Sequence, residues 1–173
     1  INHSQDEFAL SKDDVIQFAR ENGFYDETSS RQPYETFYNQ NISQLIGAIC
    51  LHPQTVPVDP EGNGRYRYEV CDFCKDQALY FVKIGKPNDF AYAIDQAMLT
   101  LEKCEAGMGS LTLPGDLTVF PTEFRMVLIF DGRANMVEKW EDVFSINFLI
   151  HLTELKRRLS STDISLTIDF VYW

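Results

Sequence analysis

Hydrophobic residues recur at three- and four-residue spacing through Tyr34, Phe37, Tyr38, Ile42, Leu45, Ile46 and Ile49. That rhythm predicts an amphipathic helix over about 33–50, with Pro33 suited to its first turn. Glu35 and Asn39, one turn apart, fall on its more polar flank. Upstream, Ser11 caps a shorter helix over 12–22, with Asp14 in the capping-box position and Gly23 as the stop. Residues 1–10 read as a frayed start and 24–32 as a polar loop. Phe90, Ile94, Ala97 and Leu101 form the buried stripe of a third helix over 89–104, which Asn88 can cap. A fourth lies within 140–160 and ends in Lys156, Arg157 and Arg158.

Other stretches follow the two-residue period of strands. Val56 and Val58 predict a short one, and 59–64 is dense in turn residues. Two strands follow, over 65–73 and 78–84, joined by a tight loop. The run 124–131 is almost continuously apolar, as in a strand buried on both faces. Residues 164–173 alternate and close the chain. Between the third helix and the buried strand, Gly107, Gly109, Pro114 and Gly115 punctuate a long loop with room for a strand at 111–113. The order α-α-β-β-β-α-β-α-β predicts an α/β fold, a mixed central sheet flanked by helices on both faces. Residues 1–32 form a helix and linker, and 33–173 the main domain.

Composition narrows the functions. The 173 residues suffice for a real core, and 45% are hydrophobic. The net charge of −11 is the wrong sign for a protein that coats nucleic acid. It does not oppose a site in which metal ions supply the positive charge. Strong substrate binding would then come from another domain or partner subunit. No apolar run is long enough to span a membrane and no secretory signal is evident, so a cytoplasmic protein is expected. The absence of a first methionine suggests either a fragment of a longer protein or a start outside the given residues. Four cysteines (Cys50, Cys71, Cys74, Cys104) read as reduced packing residues. Cys71 and Cys74 form a CxxC without a second pair, and on a regular strand their thiols would point to opposite faces. His3, His52 and His151 suggest no nucleophilic triad. The basic end of the fourth helix is what the macrodipole favours.

The chemistry concentrates in 66–83, YRYEVCDFCKDQALYFVK. Glu69 and Asp72 lie on the first strand of the pair and Lys83 near the end of the second. Carboxylates are hard ligands for Mg²⁺ or Mn²⁺, and a lysine beside the ion can orient or deprotonate a water. In a regular strand Glu69 and Asp72 face opposite ways, so only one can meet Lys83 without a bulge. A turn centred on Asp76 sets Glu69 opposite Lys83, and a one-residue shift reverses the parity. The same residues also suit an ordinary ion pair across a hairpin.

These motifs resemble the core of the PD-(D/E)XK restriction-endonuclease-like nucleases. They are also similar to an uncharacterised, sporadically distributed bacterial family. The residues concerned are Tyr38-Asn39, Glu69-Val-Cys-Asp72, Phe81-Val-Lys83, Phe90-Ala-Tyr-Ala-Ile-Asp-Gln96 and Val143-Phe-Ser-Ile-Asn147. The resemblance spans about 36–173. It implies a metal-dependent nuclease acting on DNA or RNA, in a bacterial defence or mobile-element setting. Asp72 and Glu69 would bind the ion, Lys83 would be the motif lysine, and Gln96 the glutamine of the following helix. Glu35 would match the first-helix glutamate of some members. The motif's second acid is here Phe81, which binds no metal; some members move that carboxylate onto the next helix, where Asp95, twelve residues beyond Lys83, is a plausible replacement. The competing expectation is a nuclease-like module without catalysis that binds a protein partner.

Overall fold

The structure, a computed structural model, describes residues 2–3, 6–58, 64–132, 137–143 and 145–173. The expected turn at 59–63 and Phe144 lie outside these. In chain order the elements are β1 (Asn2–His3), α1 (Lys12–Glu21), α2 (Tyr34–Ile46), β2 (Ile49–Cys50), β3 (Val56–Pro57), β4 (Arg67–Tyr68), β5 (Phe73–Lys75) and β6 (Ala78–Gly85). There follow α3 (Phe90–Ala106), β7 (Leu111–Leu113), β8 (Leu117–Val119), β9 (Glu123–Phe130), α4 (Ile146–Leu159) and β10 (Ser165–Tyr172). Six strands form the central sheet in the order β1-β10-β9-β6-β5-β2. β1, β10, β9 and β6 run parallel, whereas β5 and β2 pair antiparallel. This is the expected mixed α/β sheet flanked by helices.

The alternation of β6 and β9 divides the core in two. Leu79, Phe81, Phe124, Met126, Leu128 and Phe130 pack with α3 and α4. Tyr80, Val82, Val127 and Ile129 pack with α1 and α2. β9 is buried along nearly its whole length. Ser11 and Asp14 make the full capping box on α1.

Two expected elements are corrected. The second helix ends at Ile46, not near residue 50, because Gly47 turns left-handed at φ 69° and the chain enters β2. Glycine takes that backbone without a Cβ penalty. The strand expected over 65–73 is not continuous. Arg67–Tyr68 pairs with Val56–Pro57 in a separate small hairpin, and only 73–75 joins the main sheet. Residues 69–72 are not strand, although the Asp72 N–H still donates to the Tyr80 carbonyl. The turn is Asp76-Gln77, so Phe73 faces Tyr80 and Lys75 faces Ala78. Because the strand breaks, Cys71 and Cys74 share the α3-side core instead of facing opposite ways. All four cysteines are free thiols. Among the described residues, no helix is long and apolar enough to cross a membrane. The long loop after α3 holds the small β7–β8 hairpin.

Candidate metal centre

β6 outruns its partner. Beyond Asp72 the N–H groups on the β5 side of β6 have no strand to bond, and side chains take that role. The Val82 N–H donates to the Asp72 carboxylate at 2.7 Å. Two residues on, the Ile84 N–H donates to Glu35 at 3.3 Å. Amides two apart on a strand point the same way. The open carboxyl end of β6 therefore sets two carboxylates side by side, one from the broken strand and one from α2. Open α/β sheets present ligand sites at such strand ends.

The polar flank of α2 faces this edge. Asn39 is fully buried and donates through Nδ2 to Asp72 at 3.0 Å. Glu35, one turn earlier, also takes the Lys83 ammonium at 3.1 Å. The segment after β2 brings in His52, whose backbone N–H, like that of Leu51, donates to the Asp72 carbonyl. Its Nδ1 lies 2.8 Å from Glu69 and 3.0 Å from Asp72, and its Nε2 lies 3.0 Å from the Thr36 hydroxyl. Ligand atoms of Glu35, His52 and Asp72 lie within 4.8 Å of one another. His52 Nδ1 lies at ion-pair distance from two carboxylates yet is aligned for a hydrogen bond with neither. Glu69 Oε1 and Asn39 Oδ1 are likewise buried without an aligned partner. Three buried polar atoms without aligned partners at this edge are what a site that takes up a cation in place of the Nδ1 proton would show.

Burial of Asp72 raises its pKa, while contacts from His52 and the Val82 N–H pull the other way. Burial also disfavours a charged His52 ring, but the Asp72 and Glu69 carboxylates outweigh it and carry the pKa up to about 10. The ring is thus an imidazolium at neutral pH. A folded-state pKa above the unfolded value of about 6.5 gives stability that is complete below about 6.5 and is lost as pH rises through about 10. Urea midpoints of metal-free protein should fall across that window, and His52→Gln should flatten the fall. A slope equal in the two proteins would overturn the assignment.

The structure brings Asp72, Glu69, Lys83 and Glu35 to one edge. Glu69 and Asp72 both reach His52, which the parity of a regular strand would forbid, because 69–72 is not strand. Gln96 lies beside the cluster, its amide donating to the Glu69 carbonyl at 3.4 Å. Asp95 does not join it: it is half exposed and pairs with His151 of α4 at 2.5 Å. Phe81 is fully buried, its ring centroid 5.2 Å from that of Phe124. His52 is the residue that sequence reasoning missed as a site residue. The available signal was a single histidine between Leu51 and Pro53, close after a helix whose polar flank carries Glu35 and Asn39. Compared with protein-family models, curated proteins and solved structures, the chain matches none.

Proposed function

We propose that this edge binds a divalent cation and hydrolyses phosphodiester bonds of DNA or RNA, on a restriction-endonuclease-like scaffold. The supporting observation is the convergence of Glu35, His52, Asp72 and Lys83 from four separate segments at the end of β6. The order helix, hairpin, helix, parallel strand from α2 to β9 agrees with that scaffold. Formally, three carboxylates face an imidazolium and an ammonium, leaving one negative charge. A divalent ion in place of the Nδ1 proton brings the balance to zero. The donor set of carboxylates plus one imidazole favours Mn²⁺ over Mg²⁺, which prefers oxygen alone. Such an ion, when bound, polarises the phosphoryl group and acidifies a water.

The chain's own residues have distinct tasks. Glu35, Asp72 and His52 would hold the ion, with Glu69 in reach. Thr36 fixes the far nitrogen of His52, the orienting contact that metal-bound histidines need. Lys83, already beside Glu35, would orient the water and offset charge on the phosphate. A cytoplasmic setting suits four free thiols, and a partner domain or subunit would supply further nucleic-acid affinity.

Buried Phe81 favours a second reading, a nuclease-like module without catalysis that binds a protein partner. Metal binding separates the two. At a free concentration of about a hundred times Kd, Mn²⁺ adds ~2.7 kcal/mol, or ~5–10 °C in Tm at this size. Wild type should show that shift, and Glu35→Gln should lose most of it while keeping an acceptor for the Ile84 N–H. Plasmid or RNA cleavage should accompany the shift and vanish in Lys83→Ala. An unmoved Tm, with equal traces of cleavage in both proteins, would sink the catalytic reading.

A further inference from the structure

Next to the centre lies a cavity of about 390 Å³ lined by Thr55, Arg67, Tyr68, Glu69, Tyr92 and Gln96, among others. Glu69 belongs to both, since its carboxylate contacts His52. Lys83 links them as well: its ammonium pairs with Glu35 and sits 5.1 Å from the Tyr92 ring centroid. The volume is in the range of small-ligand pockets. Tyr92 is 65% exposed, although its helix offers many buried positions for an aromatic ring. Carboxylates on the lining oppose a phosphate inside the cavity. An aromatic face, a carboxylate and an amide together suit the flat, amine-bearing edge of a nucleobase.

We propose that this cavity receives one unpaired base of the nucleic acid whose backbone lies at the metal centre, so that the substrate is single-stranded or frayed. The assignment rests on the nuclease reading for the position of the backbone. The base stacks on Tyr92, with Tyr68 in the wall. Its exocyclic amine donates to the Glu69 carboxylate or the Gln96 carbonyl. Arg67, held by Thr55 at the rim, faces the neighbouring phosphate. A base in a duplex would first have to leave its stack, which costs free energy that a single strand does not spend. Cytosine and adenine carry the required amine, whereas thymine presents a carbonyl and a methyl group in its place.

The test has a binding arm and a cleavage arm. Short labelled oligo-dA, oligo-dC and oligo-dT strands and a blunt duplex are titrated by fluorescence anisotropy in Ca²⁺, with wild type, Tyr92→Ala and Tyr92→Phe. Tighter binding of oligo-dA and oligo-dC than of oligo-dT or duplex is expected. A loss of about tenfold is expected in Tyr92→Ala and little loss in Tyr92→Phe, the scale of one base–aromatic stack. Equal binding of single strand and duplex, equal binding of all three homopolymers, or wild-type affinity in Tyr92→Ala overturns the proposal. The same oligonucleotides are then incubated with Mn²⁺. Retained base-dependent binding without cleavage rejects the catalytic reading but keeps the pocket. Cleavage without the Tyr92 dependence keeps the enzyme and rejects the pocket.

Discussion

Asp72→Ala should lower the unfolding free energy by about 3–5 kcal/mol, the usual result of removing one partner from a buried ion pair. Tm should fall by roughly 6–20 °C at this chain length. The carboxylate is 2% exposed and does three structural tasks at once. It accepts from the Val82 N–H, accepts from Asn39 and faces the His52 imidazolium. Alanine leaves a strand amide, a carboxamide and a charged ring without that partner in a place water reaches poorly. Asp72→Asn isolates the charge. Its amide oxygen can still accept from Val82, so about half the loss is expected, together with a fall in the His52 pKa toward its ordinary value. Urea unfolding of the three proteins in chelator gives the stabilities, and imidazole proton NMR gives the pKa. A loss below ~1 kcal/mol in Asp72→Ala would mean that the edge of β6 is satisfied by water and that the carboxylate is held only for function.

The same residue explains why part of the site could be read from the sequence and part could not. Helices α1 and α3 and the buried strand β9 declare themselves through spacing and apolar runs, and α1 also through its cap, because each helix is fixed by burial of one face and β9 by burial of both. Asp72, Glu69 and Lys83 stand out because two carboxylates and then a lysine fall on two adjacent predicted strands. The break at 69–72 is not legible in the two-residue period. Its side chains are held instead by contacts to His52, Asn39 and the Val82 amide, and its carbonyls by Gln96 and Thr100 of α3. The contacts from His52 and Asn39 come from positions 17 to 33 residues earlier, beyond the reach of any local rule. Asn39 appears as a polar flank on a helical wheel, whereas the structure buries that flank against the site. The local signal of His52 is slight because its role is set by the carboxylates around it. Asp95 shows the converse: a plausible interval from Lys83 led away from the cluster, to an exposed pair with a histidine on the next helix.

Phe81→Asp places an acid two residues before Lys83 and should abolish folding or cost more than ~5 kcal/mol. Truncating a buried phenylalanine alone costs about 3–5 kcal/mol, and an uncompensated buried carboxylate adds several more. Phe81 and Lys83 start from the same face of β6 by parity, but their surroundings diverge within one turn of the sheet. Phe81 is enclosed against Phe124 in the core beneath α3, while Lys83 stands where the strand opens and reaches around to Glu35. An acid at 81 would therefore point into hydrocarbon and away from His52 and Asp72. The carboxylate work is instead divided between Glu35 on α2 and Asp72 on the broken strand, both anchored to the free amides of β6. Phe81→Leu, which nearly conserves shape, should cost well under ~3 kcal/mol and leave the Mn²⁺ shift intact. Should Phe81→Asp fold near wild-type stability and bind Mn²⁺ more tightly, the α3 side of β6 must be open to the ion. The division of labour between α2 and the strand break would then be wrong.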